Sequence, residues 1–234
     1  MRLVLALAFT VLFFAVAALG VGTAYALYRR PQLAELSQRV HAELTAQASP
    51  WVPLSQIQPM LPRALLATED NTFWTNIGIS FEGIARSVLI DFASGSFVEG
   101  GSTITQQLVR DQLLSQRKTI PRKLEEMVLA IALTRMDSKR EILALYLNQV
   151  YFGHGAYGIA AASRVYFGRT PAQLDDAQCT LLAGLPQAPS LDDPLENPTA
   201  AHRRQAEVIG AMEAAGGLTR ARGRALLAQP WQLR

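Results

Sequence analysis

Two adjacent acids, Glu69 and Asp70, stand where an apolar helical pattern ends. The stretch "LATEDNTFWTNIG", residues 66–78, follows them with the aromatic residues Phe73 and Trp74. Acidic residues after an apolar run are ordinary capping and turn residues. A carboxylate against an apolar wall is instead a stronger base, which general acid–base catalysis requires. The stretch alone therefore leaves two interpretations open, a capped turn or a reaction centre.

A third acid, Glu126, lies in a segment that is apolar on both of its helical faces, and it falls close to Leu129 and Leu133. A helix that is apolar all round is buried, so we expect the Glu126 carboxylate to point into the interior or into a cleft. A buried carboxylate is costly unless it is paired, and Arg122 and Lys123 lie one turn earlier on the helix. This group is either a structural salt bridge or part of a functional site.

Basic residues cluster just before and at the start of this helix. The cluster consists of Arg110, Arg117, Lys118, Arg122 and Lys123. If the helices that begin near residues 103 and 121 pack side by side, their facing ends form a cationic groove that suits a phosphate or pyrophosphate. A solvated basic surface is the alternative. Nucleic acid is not an expected partner, because no basic stripe interleaved with aromatic residues accompanies the cluster.

Helix-start signals predict the elements that position these residues. The predicted starts are the capping pairs Thr103–Gln106, Ser138–Glu141 and Thr170–Gln173, and Pro62 before the first acid. Strand-like alternation is scarce beyond residue 50. We therefore predict an all-α domain of short to medium helices.

The N-terminal segment is a predicted membrane anchor. No charged residue occurs from Leu3 to Leu27, which is long enough for a membrane-spanning helix and longer than the apolar region of most signal peptides. An A-x-A pattern at Ala24 and Ala26 leaves a cleaved signal peptide as the alternative, and the flanking arginines do not settle the orientation. The predicted divisions are an anchor over residues 1–30, a stalk over 31–50 and a domain over 51–234.

Several site classes are excluded by composition and spacing. The one cysteine, Cys179, rules out an internal disulfide framework and a cysteine-rich metal site. The three histidines lack metal-ligand spacing. The G-x-G-x-x-G pattern in "GHGAYG" follows a predicted helix rather than a strand, so it does not indicate a dinucleotide site.

Three stretches together resemble the signature of the peptidoglycan glycosyltransferases, the lysozyme-like polymerase domain of bifunctional penicillin-binding proteins and of monofunctional cell-wall polymerases. In the first, Glu69, Asp70, Phe73 and Gly78 match the pattern E-D-x-x-F-x-x-H-x-G, continued by Gly83 and Arg86. The second is "GGSTITQQLVRD", residues 100–111, against G-G-S-T-I-T-Q-Q-L-x-K-N. The third is "RKLEE" followed by "ILALYLNQVYFGHGAYGIAAASRVYFGR", and the match extends through "LLAGLPQAP". The resemblance covers nearly all of residues 51 to about 210.

The sequence departs from the family pattern at several positions. Asn76 stands in place of a histidine, Arg110 and Asp111 replace lysine and asparagine, and Ala144 and Gln178 each replace a glutamate. Arginine keeps a phosphate-binding cation. We expect the added negative charge of Asp111 to weaken donor binding unless that carboxylate is paired.

The resemblance implies polymerisation of lipid II into glycan with inversion and loss of undecaprenyl pyrophosphate. Glu69 is the implied general base, and Glu126 the implied second catalytic acid, which orients cations or holds a divalent ion such as magnesium or manganese. No organic cofactor is implied. The implied substrate-binding residues are Asp70, Phe73, Arg86, Ser102, Thr103, Gln106, Gln107, Arg110, Arg117, Arg122 and Lys123. Asp70 is also expected to cap or orient its turn.

The same resemblance implies a single-pass protein of the inner membrane with a cytoplasmic N-terminus and a periplasmic domain. Residues 80–100 are expected to be mobile and to face lipid. Implied partners are lipid II, the growing glycan, the membrane, a transpeptidase and proteins of cell-wall synthesis or division. A lysozyme-like hydrolase and an impaired lipid II-binding scaffold are the alternatives. The basic cluster argues against hydrolysis, which needs no pyrophosphate site, whereas Asn76 and Asp111 motivate the scaffold.

Overall fold

The fold is helical, as predicted. The computed structural model describes residues 2–94, 101–115 and 117–234, with the backbone alone for residues 2–9, 11 and 88–94. Within these ranges the only β-structure is an isolated bridge between Tyr151 and Tyr157. The helices are α1 (Arg2–Ala34), α2 (Leu36–Ala46), α3 (Met60–Glu69), α4 (Phe81–Ser94), α5 (Ile104–Leu113), α6 (Ile120–Met136), α7 (Lys139–Gln149), α8 (Gly158–Phe167), α9 (Asp176–Gly184), α10 (Pro198–Ala214) and α11 (Arg220–Ala228), with short 3₁₀ helices at Leu54–Gln56 and Leu185–Gln187.

The helix α1 contains the predicted anchor. It belongs to the one candidate membrane span found among the described residues, and the apolar part of that span is not covered by protein. Side chains such as Phe13, Phe14 and Leu19 are exposed. An exposed apolar surface of this size suits a lipid environment.

The predicted stalk contains a helix that is part of the domain core. In α2, Leu36, Val40 and Leu44 recur every four residues, so they share one face of the helix. All three are buried in the main core cluster, and α2 packs against α7 and α5. Residues 36–46 of the predicted stalk are therefore packed on the domain.

The helices that build the site fall into two packed groups. In one, α3, α9 and α10 contact one another, and in the other α5 packs against both α6 and α7. The helix α7 is buried from Ile142 to Gln149, which makes it the central support of the second group. The C-terminal end of α3 and the N-terminal half of α5 bring the two groups together at Asp70 and Ile104.

Most of the predicted helix starts are confirmed. Thr103 and Gln106 form the complete capping box of α5, Ser138 caps α7, and α3 begins two residues before Pro62. The predicted start at Thr170 is wrong, because Thr170 bonds Gln173 within a turn.

The helix expected at Thr170 begins instead at Asp176. Asp175 and Gln178 form its capping box, so a second cap of the same chemistry, five residues later, marks the true start. Gln178, which replaces a glutamate of the family pattern, serves this box as well as a glutamate does. Its side-chain amide also donates to the Trp231 carbonyl at 2.8 Å.

Candidate active site

The carboxylate of Glu69 lies at the C-terminal end of α3 and is held by two other helices. Nε2 of Gln107 on α5 donates to Oε2 at 3.0 Å, and the guanidinium of Arg204 on α10 contacts Oε1 at 3.2 Å. The Glu69 side chain is only 11% exposed. Burial raises the pKa of Glu69, while the Gln107 hydrogen bond and the positive charges of Arg204 and Arg110 act in the opposite direction. The result is a fixed carboxylate with increased basicity.

The neighbouring acid, Asp70, has a structural position. It is buried, and its Oδ2 accepts a hydrogen bond from the backbone N–H of Ile104, at the start of α5, at 3.1 Å. The side-chain amide of Asn76 donates to both of its oxygens. Asp70 therefore joins the end of α3 to the start of α5, which supports the expectation that it orients the turn.

Asn76, which stands where the family pattern has histidine, forms hydrogen bonds to several other residues. Besides donating to Asp70, the Asn76 side chain accepts from Nζ of Lys139 at 2.7 Å and from the backbone N–H of Gly78 at 3.0 Å. Lys139 also lies 4.7 Å from the centroid of the Phe73 ring. An amide can donate and accept at once, so Asn76 can link the acid to the lysine without carrying a charge.

The loop that follows Glu69 needs glycine at position 78. Gly78 has φ of +104°, and a Cβ atom there would lie 2.3 Å from the carbonyl oxygen of Ala130 on α6. Its own carbonyl accepts a hydrogen bond from Thr103 Oγ1 at 2.6 Å. The close approach packs the loop against α6 and fixes it to the cap of α5.

Two consecutive glutamines on α5 hold the two candidate catalytic acids. Gln107 binds Glu69, whereas Nε2 of Gln106 donates to Oε1 of Glu126 at 3.0 Å. Consecutive residues on a helix point about 100° apart, so one short helix can reach acids on two sides. Oε1 of Gln107 accepts from the Tyr146 hydroxyl at 2.9 Å. Burial raises the pKa of Tyr146, which keeps this donor protonated.

The buried acid of α6 is paired, as predicted. Glu126 is fully buried, and its Oε2 lies 2.7 Å from the Arg122 guanidinium. Its Oε1 pairs with Nζ of Lys123, which also donates to Ser102 Oγ at 2.6 Å. Each oxygen of Glu126 therefore holds one cation, and the pair orients Lys123 toward the start of α5.

The negative charge of Asp111 is partly offset by an ion pair with its neighbour. Nε of Arg110 lies 2.9 Å from Oδ1 of Asp111, and both side chains are about one-quarter exposed. Burial alone would lower the pKa of Arg110, but the charges of Asp111 and Glu126 outweigh burial and raise it. Asp111 is therefore paired, which is the condition under which we did not expect it to weaken donor binding.

A cleft of about 210 Å³ collects part of the predicted site. Its lining residues are Thr68, Glu69, Ser102, Gln107, Arg110, Pro186, Gln187 and Arg204. Ser102 and Arg110 connect this cleft to the Glu126 cluster.

The other predicted binding residues take two kinds of position. Phe73, Thr103 and Gln106 are buried, whereas Arg86 and Arg117 are exposed. Arg86 lies on α4, and residues 95–100 of the segment expected to be mobile and lipid-facing lie outside the described residues.

The side chains present do not fit a divalent ion held by Glu126. Both of its oxygens already bind Arg122 and Lys123. Across the described part of the chain, no three potential metal ligands among His, Cys, Asp and Glu come together. Metal coordination by protein oxygens would require breaking these ion pairs.

Two residues that hold Glu69 and its supporting glutamine were missed in the sequence. Arg204 occupies a buried helix position between Ala201 and Val208, and an arginine on an otherwise apolar stripe was the available signal. Tyr146 lies among the buried residues of α7, and nothing in the sequence distinguishes it from its apolar neighbours. Neither residue could be matched to Glu69 without knowing that α10 packs on α3 and α7 on α5.

Comparison with known proteins identifies the family. The family described as transglycosylase matches residues 32–213. The chain belongs to the transglycosylase family. A protein of Cupriavidus necator described as a transglycosylase is 40% identical over 184 residues, covering 79% of each chain. The resemblance to the peptidoglycan glycosyltransferases is thus confirmed, together with the enzyme class of glycosyltransferase.

The match is also found within longer proteins. Penicillin-binding protein 1A of Aquifex aeolicus is 38% identical over 192 residues, which are 81% of this chain and 26% of that protein. This chain thus spans about a quarter of such relatives. The crystal structure of penicillin-binding protein 1A from Haemophilus influenzae aligns with a TM-score of 0.49 and 23% identity over 79% of this chain and 18% of that one. The family match begins at residue 32, within the predicted stalk.

Proposed function

We propose that this protein polymerises lipid II into β-1,4-linked glycan strands and releases undecaprenyl pyrophosphate. One observation carries the proposal: a buried carboxylate and a set of cations meet at one cleft. Glu69 can take a proton, while Arg110 and Lys123 can take up the negative charge of a departing pyrophosphate. A glycan hydrolase needs an acid for its leaving oxygen and has no use for such cations.

Glu69 serves as the general base. It accepts the proton of the acceptor's 4-hydroxyl while that oxygen attacks C1 of the donor. The new C1–O bond forms as the bond from C1 to the pyrophosphate breaks, on the opposite face, so the configuration inverts. A sugar hydroxyl is a weak nucleophile near neutral pH, and a positioned base contributes about 10²- to 10⁴-fold to the rate. The burial that raises the pKa of Glu69 supports this role.

The leaving group is stabilised by the cationic cluster. Lys123 is aimed toward Ser102 by Glu126, and Arg110 lines the cleft next to Glu69. Preorganised cations of this kind stabilise charge that develops in the transition state. Glu126 orients Lys123 and Arg122 and does not contact the reacting atoms, while Arg86 and Arg117 supply exposed cations for the remaining phosphate oxygens.

The membrane helix keeps the site near its lipid-linked substrates. Both donor and acceptor carry a long polyprenyl chain, so the reaction takes place at the bilayer surface. We place the N-terminus in the cytoplasm and the domain on the periplasmic side, and we expect lipid to face the surface of α4. The likeness to penicillin-binding proteins supports a transpeptidase, with proteins of wall synthesis or division, as partners.

The experiment that tests this function is incubation of the purified full chain with labelled lipid II in detergent. We expect glycan polymer, its loss in Glu69→Gln, and its retention in Glu196→Gln, an exposed site with the same change. Digestion of preformed glycan would instead establish a hydrolase. Binding of lipid II without polymer would establish a scaffold.

A further inference from the structure

The end of the membrane helix is tied to both helices that carry the cationic site. The guanidinium of Arg29 on α1 donates to Oε1 of Glu125 on α6 at 2.6 Å. It also donates to the carbonyl oxygen of Leu113, the last residue of α5, at 3.2 Å. Tyr25, one turn earlier, donates to the same Glu125 oxygen and accepts from Arg29. One guanidinium therefore bridges the two helices on either side of residues 114–119.

These contacts are sheltered, and one of them satisfies a carbonyl group at the end of α5. The Arg29 side chain is 14% exposed. The Leu113 carbonyl is among the last four of α5, which have no donor within the helix, and a cation at this end complements the helix dipole. Gly22 packs near Val128, one turn along each helix from Tyr25 and Glu125, so α1 and α6 stay in contact beyond the polar group.

The helix that follows adds a second tie at the same place. On α2, Oε2 of Glu43 accepts a hydrogen bond from Nε2 of Gln112 at 2.9 Å. Gln112 precedes Leu113, so α1 and α2 both hold the C-terminal end of α5. The polar contacts of Tyr25, Arg29 and Glu43 with α5 and α6 are called the clamp below.

The clamp contacts α5 and α6 next to residues of the candidate active site. Glu125 is followed directly by Glu126, and neighbouring helix residues point about 100° apart. The clamp therefore holds one side of α6, while the adjacent side carries the buried acid that orients Lys123. On α5 it holds the turn that follows Arg110.

We propose that Arg29 is a positioning residue, through which the membrane helix holds α5 and α6 at the spacing that aligns Arg110 with Lys123. The membrane helix is then a structural part of the cationic site as well as an anchor. The catalytic consequence rests on the proposed function, whereas the coupling of the two helices does not. Loss of Arg29 loosens the junction locally, even when the chain remains in a membrane or micelle.

The coupling is tested by amide hydrogen exchange on the full chain in detergent. We expect Arg29→Gln to speed exchange of residues 114–123 about three- to tenfold, the range for one partly exposed charge-assisted hydrogen bond. Arg30→Gln removes the same charge from an exposed neighbouring position and is the matched control. Exchange in Arg29→Gln that equals the control, or that rises uniformly over the domain, would overturn the proposal.

A double substitution identifies the partner. Glu125→Gln should produce the same local change, and combining it with Arg29→Gln should add little, because both remove one contact. Arg29→Lys keeps the charge but has no planar fork to reach Glu125 and Leu113 together, so we expect an intermediate exchange rate. Fully additive effects of the two single substitutions would contradict a shared clamp.

The catalytic consequence is measured with lipid II in the same detergent. Arg29→Gln should raise KM at least threefold with little change in melting temperature, and Arg30→Gln should leave KM unchanged. A wild-type chain that makes no polymer would refute the proposed function, while the exchange comparison would still decide the positioning role. Polymerisation by Arg29→Gln with wild-type KM and kcat would overturn the catalytic part of the inference.

Discussion

Replacement of Arg204 by glutamine should move the acid limb of the pH–rate profile. Burial raises the pKa of Glu69, and Arg204 is one of the groups that pull it back down. Without that positive charge the carboxylate is easier to protonate, so polymerisation should fail at a higher pH than in the wild type. The base is active only when deprotonated, so the lost activity should return as the pH is raised.

The magnitude follows from the geometry of the contact. The two side chains are about one-tenth exposed and their atoms lie 3.2 Å apart. A charged hydrogen bond of this kind contributes about 1.5–3 kcal/mol, and 1.4 kcal/mol corresponds to about one pH unit. Arg204 also bonds Glu207 and the Gly184 carbonyl, so we take the lower bound. The acid limb should move up by about one pH unit, with about a tenfold lower rate below it.

The assay is the initial rate of polymerisation of labelled lipid II over a pH series in detergent. Arg203→Gln, one position earlier and exposed, is the matched control and should leave the limb in place. Arg204→Lys keeps the charge and should reverse most of the shift. A loss of rate in Arg204→Gln that is equal at every pH would refute the argument and reduce Arg204 to a packing role.

Three further predictions concern the surroundings of the site. Glu126→Gln should lower the polymerisation rate roughly a hundredfold, because misplaced catalytic contacts of about 1 Å have that effect, and a normal initial rate would contradict its orienting role. Gly78→Ala should destabilise the fold by more than about 2 kcal/mol through steric conflict and backbone strain. Gly210→Ala, with open space at its Cβ, is the control and should be neutral or stabilising. Thermal unfolding measures both variants, and equal effects would contradict the steric argument for Gly78. Asn76→Leu should lower stability by about 1–3 kcal/mol, because buried Asp70 loses a hydrogen-bond donor. Asn76→His should retain most of the wild-type stability. Equal melting temperatures for the two variants would show that the hydrogen bonds of Asn76 to Asp70 do not stabilise the fold.

Much of the fold was predictable because its signals are local. The capping pair at Thr103 and Gln106 is complete within one turn, and the apolar run of α1 needs no partner to be recognised. The helix start predicted at Thr170 was wrong because a local signal can be satisfied without a helix. Thr170 and Gln173 bond each other within a turn, and an equivalent cap at Asp175 starts the helix. The four-residue apolar spacing of α2 is visible in the sequence, but the sequence does not show that this apolar face packs against α7.

The sequence by itself determined the helical class, the apolar N-terminal helix, the family motifs and the ion pair of Glu126 with Arg122 and Lys123. That pair is local, since its members lie within one turn of a single helix. Only the tertiary structure decided what surrounds Glu69, because Gln107 and Arg204 lie on two other helices and reach it through packing. It also separated Glu69 from its neighbour Asp70: one faces a cleft, and the other accepts the N–H of Ile104 in the interior. Adjacent residues with almost the same chemistry differ here because burial and hydrogen-bond partners are properties of the packed chain.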